Sequence, residues 1–288
     1  MMKKTTFYIW LLISILLIMF LINFFFLYQD TIEENTNKYR LRKNGVQVIK
    51  KVFDSTDVSK IKTFFEKEDY NEVKKYLLTN QKLNNLIHTT LSKDYRFQDY
   101  IWIIKKSVVH TCHRDNNGDF FNEKQMHPSY TLLVYLEDME KCLGVVPDSH
   151  KSIDSYNYNL SDPIIDLPCK KGDVIIFNAN LIHVGCINKK DDNLRIQLKV
   201  THKDDIQHLQ YYQNFNKILN KDNTLPQYIR KAQKRMSCMV PAFSDSTQSE
   251  NIRTARGSSN GVNIGIPLQI FSYLFYGDTG FYDLPNAF

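Results

Sequence analysis

Cysteine chemistry is thin in this chain. The five cysteines, Cys112, Cys142, Cys169, Cys186 and Cys238, are odd in number and include no CxxC pair. That speaks against a disulfide framework and a cysteine-type structural zinc site, and leaves room for one bridge. No internal repeats are found. No block of one charge sign exists either. The 37 Lys and Arg are scattered among 31 Asp and Glu, for a net charge of +6. With no aromatic-interleaved basic stripe and no nucleic-acid motif, no nucleic-acid partner is expected.

What the chain does have is length and apolar mass. Its 288 residues are 43% hydrophobic, with 18 Phe and 17 Tyr. That suffices for one large domain or two small ones.

Lys3 and Lys4 precede an apolar run from Phe7 to Tyr28, broken mainly by Ser14 and Asn23. At about 1.5 Å per residue the run would cross a ~30 Å hydrocarbon layer. It has no polar face, unlike a core helix. It is also longer than a cleavable signal sequence and lacks a small-residue ending. Residues 1–28 are therefore expected to form a transmembrane signal anchor, making a single-pass membrane protein. Its orientation stays open, because Lys38, Arg40, Arg42 and Lys43 lie beyond the run. Asn159-Leu160-Ser161 is a glycosylation sequon.

Residues 29–44 read as a linker, 45–243 as the main domain and 244–288 as a C-terminal extension with a flexible polar stretch, Ser244–Asn263. Helical spacing is predicted over Val58–Phe65, with caps at Asp54, Ser55 and Thr56, and over Tyr76–Leu91. From about residue 95 the pattern becomes short apolar runs between turns. These are Tyr100–Val109, Tyr130–Leu136, Gly144–Val146, Ile164–Leu167, Val174–Phe177 and Ile196–Thr201. Such spacing predicts a sandwich or barrel, with the jelly roll the natural form. Ile206–Leu219 and Pro226–Met236 read as helices, and Ile264–Tyr276 as an apolar segment that docks on the domain.

Three residue types then stand out in order. His113-Arg114-Asp115 offers an imidazole and a carboxylate two positions apart, hence on one side of a strand. His183 follows a buried strand, and Arg195 lies in Leu194-Arg195-Ile196-Gln197-Leu198, where Arg195 and Gln197 share a face. Two histidines and a carboxylate are the ligand set of an open mononuclear Fe(II) site. An arginine facing a barrel interior needs an anionic partner, which a di-acid supplies through paired hydrogen bonds. On a solvent face it would be an ordinary strand residue. His110 and Cys112 flank the ligand strand, with packing the expected role of Cys112. His150 is expected to cap a turn.

In order, the chain shows His113-Arg114-Asp115, Gly144-Val145-Val146-Pro147-Asp148-Ser149-His150, Gly172-Asp173-Val174-Ile175-Ile176-Phe177, His183 and Arg195. From about Asn44 to His202 this resembles the phytanoyl-CoA dioxygenase-like family of Fe(II)/2-oxoglutarate-dependent oxygenases. The resemblance implies a mainly β fold with flanking helices and a double-stranded β-helix (jelly roll) core, here preceded by the transmembrane helix. It implies Fe(II) on His113, Asp115 and His183, with 2-oxoglutarate and O2 as co-substrates. Arg195 would hold the distal carboxylate, and Gln197, Tyr130 and Thr131 would line that pocket. The implied reaction is hydroxylation of an unidentified small-molecule or lipid-like substrate, releasing succinate and CO2. Two positions depart from the family: Asp148 stands where glycine is usual, and Gln197 where a small hydroxyl residue is usual. The alternatives are another metal-dependent jelly-roll enzyme, or a catalytically inactive, membrane-anchored jelly-roll binding module. Succinate production separates them.

Overall fold

The computed structural model describes residues 2–23, 30–106, 109–115, 125–151, 164–188, 192–208, 215–239 and 265–281. The sequon, the Asn116-Asn117-Gly118 turn and Ser244–Asn263 lie outside the described residues.

Helix α1 spans Met2–Ile22. Its first residues include Lys3, Lys4, Thr5 and Thr6, so the apolar part is Phe7–Ile22. This described part rises about 24 Å, less than a hydrocarbon layer of about 30 Å. Residues 24–28 of the predicted run lie outside the described residues. No helix among the described residues is long and apolar enough to cross a membrane. This corrects the expected transmembrane anchor, and with it the single-pass localisation and the membrane as a partner.

Two sheets build the core. The larger orders its strands β10-β3-β9-β4-β7-β2, from β2 (Val46–Ile49), β3 (Tyr95–Lys106), β4 (Tyr130–Tyr135), β7 (Val174–Asn178), β9 (Asp192–His202) and β10 (Phe215–Asn220). The smaller orders β1-β6-β5-β8, from β1 (Thr31–Ile32), β5 (Met139–Val145), β6 (Ile165–Cys169) and β8 (His183–Gly185). Among the described residues, the pairings are antiparallel except β1 with β6 and β10 with β3. This is a jelly-roll-like core.

Period-two alternation sorts the side chains. Leu132, Val134, Ile176, Ile196, Leu198 and Val200 pack outward against three helices, α3 (Ser55–Glu66), α4 (Tyr70–Thr79) and α5 (Gln81–Thr90). Leu133, Tyr135, Ile175 and Phe177 point the other way, onto Cys142, Leu143, Val145 and Leu167 of the smaller sheet. Register carries this split across β9. Thr131 faces Lys199, Leu133 faces Gln197 and Tyr135 faces Arg195. So Arg195, Gln197 and Lys199 share the inner face.

Local chemistry explains the element ends. Asp54 caps α3 in a reciprocal capping box with Asp57. The predicted helix Tyr76–Leu91 is instead two helices. Asn80 turns extended at ψ 121° and its side chain accepts the Leu83 N–H, ending α4 and starting α5. The predicted helix Ile206–Leu219 gives way to β10, which pairs Ile218 with Ile103. The open edge of β3 offers backbone partners that outweigh helical spacing. After α2 (Leu41–Asn44) come α6 (Gln227–Met239) and α7 (Ile266–Tyr276) on the C-terminal side. The Tyr276 hydroxyl of α7 lies 2.8 Å from that of Thr111. Cys112 is not merely packed: it forms a disulfide with Cys238 of α6, tying the segment that carries His113 to that helix.

Candidate metal centre

His113 and His183 form an isolated antiparallel bridge. Each donates its N–H to the other's carbonyl at 3.0 Å. The pairing sets the rings side by side, with centroids 4.4 Å apart. The Asp115 N–H donates to the Ala179 carbonyl at 2.9 Å, bringing the carboxylate alongside.

Backbone carbonyls fix the tautomers. His113 Nδ1 lies 2.8 Å from the Thr111 carbonyl oxygen, and His183 Nδ1 3.0 Å from that of Leu181. A carbonyl can only accept, so Nδ1 carries the proton and Nε2 the lone pair. The two Nε2 atoms converge on one oxygen, Asp115 Oδ1, at 3.8 and 3.4 Å. One donor atom from each of the three residues lies within 4.8 Å of the others. Phe177, closing the Gly172–Phe177 motif, packs its ring 4.5 Å from His183.

The other carboxylate oxygen, Asp115 Oδ2, accepts from the Thr131 hydroxyl and the Lys199 ammonium. Lys199 Nζ also reaches Thr131 Oγ1 at 2.8 Å. Burial works to raise the Asp115 carboxyl, but the Lys199 charge, together with the adjacent His183 ring, holds it well below the usual carboxylate range. Burial and the neighbouring His183 push His113 down to about 4, against the pull of Asp115. Near neutral pH the set is therefore a carboxylate beside a neutral His113 imidazole, the form a cationic metal requires.

Turn geometry supports this arrangement from below. Gly172 has φ +86°, and a Cβ there would meet the Phe53 carbonyl oxygen at 2.1 Å. The buried Asp173 accepts from the Lys51 and Lys170 N–H groups at 2.9 and 3.0 Å. The Gly-Asp pair is thus a backbone device. Arg114 points away from the triad and donates to the Ser149 carbonyl at 3.1 Å and to Asn180. Ser149 Oγ accepts the Ile182 N–H at 2.9 Å. Asp148 adopts φ +71°, a left-handed conformation that aspartate tolerates, and Asn44 donates to its side chain at 3.3 Å. That accounts for aspartate where glycine is usual. His150 takes part through its carbonyl, which accepts from Asn180 Nδ2 at 3.2 Å.

The remaining sequence candidates divide. Thr131 touches Asp115. Tyr130 lies on the opposite face and packs its ring against Tyr95 at 5.5 Å, so the strand alternation takes it away from the triad. Arg195 is buried on the inner face and donates to Asn193. Gln197 lies between Arg195 and Lys199, half-buried. Sequence reasoning missed Lys199. Its signal was present, since positions 195, 197 and 199 alternate along one strand and a lysine there is boxed between Leu198 and Val200.

A jelly-roll-like core with two histidines and a carboxylate converging at one end is the architecture of an Fe(II)/2-oxoglutarate-dependent oxygenase. Residues 41–196 match the family model described as Phytanoyl-CoA dioxygenase (PhyH). The chain belongs to that family. It is an Fe(II)/2-oxoglutarate-dependent oxygenase-type enzyme, with iron and 2-oxoglutarate as its cofactor and co-substrate. No curated protein matches the chain. Among solved structures it is similar to the non-heme alpha ketoglutarate dependent epimerase SnoN from nogalamycin biosynthesis. Identity is 16% and TM-score 0.47, over 57% of this chain and 80% of that one. It is also similar to AviO1 from Streptomyces viridochromogenes, at 17% identity and TM-score 0.46 over 60% and 96%. HygX from Streptomyces hygroscopicus, with nickel and 2-oxoglutarate bound, gives 18% and 0.41 over 60% and 87%. These likenesses are too slight to argue from, and the assignment rests on the family match.

Proposed function

We propose that His113, Asp115 and His183 hold Fe(II), that Arg195 and Gln197 receive the distal carboxylate of 2-oxoglutarate, and that the enzyme hydroxylates a small-molecule substrate. The observation that carries this reading is the convergence of the two Nε2 atoms beside Asp115 Oδ1, each ring locked through Nδ1 to the carbonyl two residues before it. The donor set of two imidazoles and one carboxylate suits Fe(II) and leaves positions open for co-substrates.

Iron held by these residues would, with 2-oxoglutarate and O2, supply the oxidising power, with succinate and CO2 as co-products. The protein's own residues place and shield. Thr131 and Lys199 fix Asp115 Oδ2, so that Oδ1 is the oxygen presented beside the histidines. Such outer partners set ligand orientation and basicity. Arg195 is a buried cation with planar donors, suited to a carboxylate between the sheets. Leu133, Tyr135 and Phe177 give that interior an apolar wall, which keeps water from a reactive centre.

The test uses the purified full chain. Succinate formation should require both Fe(II) and 2-oxoglutarate and vanish in His183→Ala. Robust turnover with zinc and without 2-oxoglutarate would overturn the reading.

A further inference from the structure

A second set of metal-type donors lies at the far end of β9, built from residues that the oxygenase reading does not use. β9 ends in His202, and the chain turns through Lys203, Asp204 and Asp205. His127 meets it from the segment leading into β4. His127 Nε2 stands 3.6 Å from Asp204 Oδ2, and His202 Nδ1 stands 3.3 Å from the same oxygen. One donor atom from each residue lies within 4.8 Å of the other two. The two rings face each other, 3.7 Å between centroids and 32° apart in plane.

Hydrogen bonding does not account for this geometry. A separation of 3.6 Å is beyond hydrogen-bond range, and 3.3 Å is past its usual limit. The weak contact present is the Asp204 N–H toward His202 Nδ1 at 3.4 Å. A shared ion accounts for the two separations to Asp204 Oδ2. Tetrahedral Zn2+ with ligands at about 2.0–2.1 Å sets neighbouring donors about 3.4 Å apart. The framework holds the parts in place independently of any such ion. The fully buried Asp205 accepts the Met126 and His127 N–H groups at 2.8 and 2.7 Å. Tyr95 abuts the His202 ring edge-on at 5.3 Å.

We propose that His127, His202 and Asp204 form a second metal site, for Zn2+, that clips the lead-in of β4 to the end of β9. The side chains of His127 and Asp204 are 39% and 45% exposed, so the ion enters from solvent and keeps a fourth position for water. The clip joins the ends of the two strands that carry Thr131 and Lys199.

Equilibrium dialysis of the metal-stripped full chain against Zn2+ alone tests this. Two equivalents are expected in the unsubstituted chain, and one in either His127→Ala or Asp204→Asn. In a His113→Ala/His183→Ala chain one equivalent should remain, raise the thermal midpoint, and disappear when His127→Ala is added. Because His127 and Asp204 are half-exposed, their single variants should keep the metal-free thermal midpoint. One equivalent in the unsubstituted chain that both single variants retain would overturn the second site. One equivalent that either single variant abolishes would support it while removing the first site.

Discussion

Lys199 closes a buried ion pair on Asp115 through Oδ2, the oxygen that does not face the histidines. With Thr131 on the same oxygen, the carboxylate cannot rotate freely. An outer partner of a ligand typically contributes 10–100-fold in metal affinity or activity. Lys199→Met should therefore weaken Fe(II) binding and 2-oxoglutarate turnover by roughly 10–100-fold. Thr131→Val should do less, because Lys199 remains. Anaerobic Fe(II) titration and succinate assays check the order, and a Lys199→Met enzyme with unchanged iron affinity would refute it.

Arg195 separates co-substrate binding from metal binding. Hydrogen bonds to a charged group contribute about 1.5–3 kcal/mol. Arg195→Ala should raise the KM for 2-oxoglutarate by roughly 10–150-fold and leave Fe(II) affinity near its original value. Arg195→Lys should recover only part, since lysine lacks the planar fork. Steady-state kinetics with varied 2-oxoglutarate measures this, and an unchanged KM would remove Arg195 from the pocket.

Gly172→Ala places a Cβ 2.1 Å from the Phe53 carbonyl oxygen at φ +86°. The left-handed conformation alone costs about 1–2 kcal/mol, and the clash adds to it. A loss of more than about 2 kcal/mol is expected in denaturant unfolding. An unaffected midpoint would mean the turn rearranges freely.

Reducing the Cys112–Cys238 bridge releases a link across 126 residues. Cross-links of this kind contribute about 2–4 kcal/mol. Cys238→Ser should lower the thermal midpoint in oxidised protein, and a reductant should have no further effect on the variant. A non-reducing mass measurement that finds both thiols free would end this prediction.

The metal-stripped protein should lose stability as pH falls. Burial and His183 lower His113 to about 4, and burial also lowers His150. Unfolded histidines titrate near ~6.5, so the unfolded chain takes up protons first. Stability contributed by the neutral rings is full above that value and declines between about pH 6.5 and 4. The His113 contribution to the loss is about 2 kcal/mol by pH 5. Calorimetry in the presence of a chelator checks it, and a flat midpoint from pH 7 to 5 would contradict it.

Several features could be read from local pattern alone. Short apolar runs bounded by turns mark β4, β6 and β7, because a strand's alternation and its breakers are written within a few residues. The Asp54 cap of α3 was visible for the same reason. Elsewhere local pattern misled. The apolar N-terminal run Phe7–Tyr28 looked long enough to span a bilayer, yet within α1, Met2–Ile22, only Phe7–Ile22 is apolar. The stretch Ile206–Leu219 has helical spacing, yet its end pairs with β3. Edge pairing is a property of the sheet, which a local window does not contain.

The sequence by itself determined the donor types and the faces they share. Arg195 and Gln197 lie two apart on β9, and strand periodicity puts them on one side; His113 and Asp115 have the same spacing, with His113 in an isolated bridge. Only the tertiary structure decided that His113 bridges His183 and that Lys199 neutralises Asp115. It also turned Tyr130 away from the site and joined Cys112 to Cys238. The physical reason is range. Periodicity acts over a few backbone steps, while pairing across sheets depends on burying the whole apolar face at once, and that choice brings distant residues into contact.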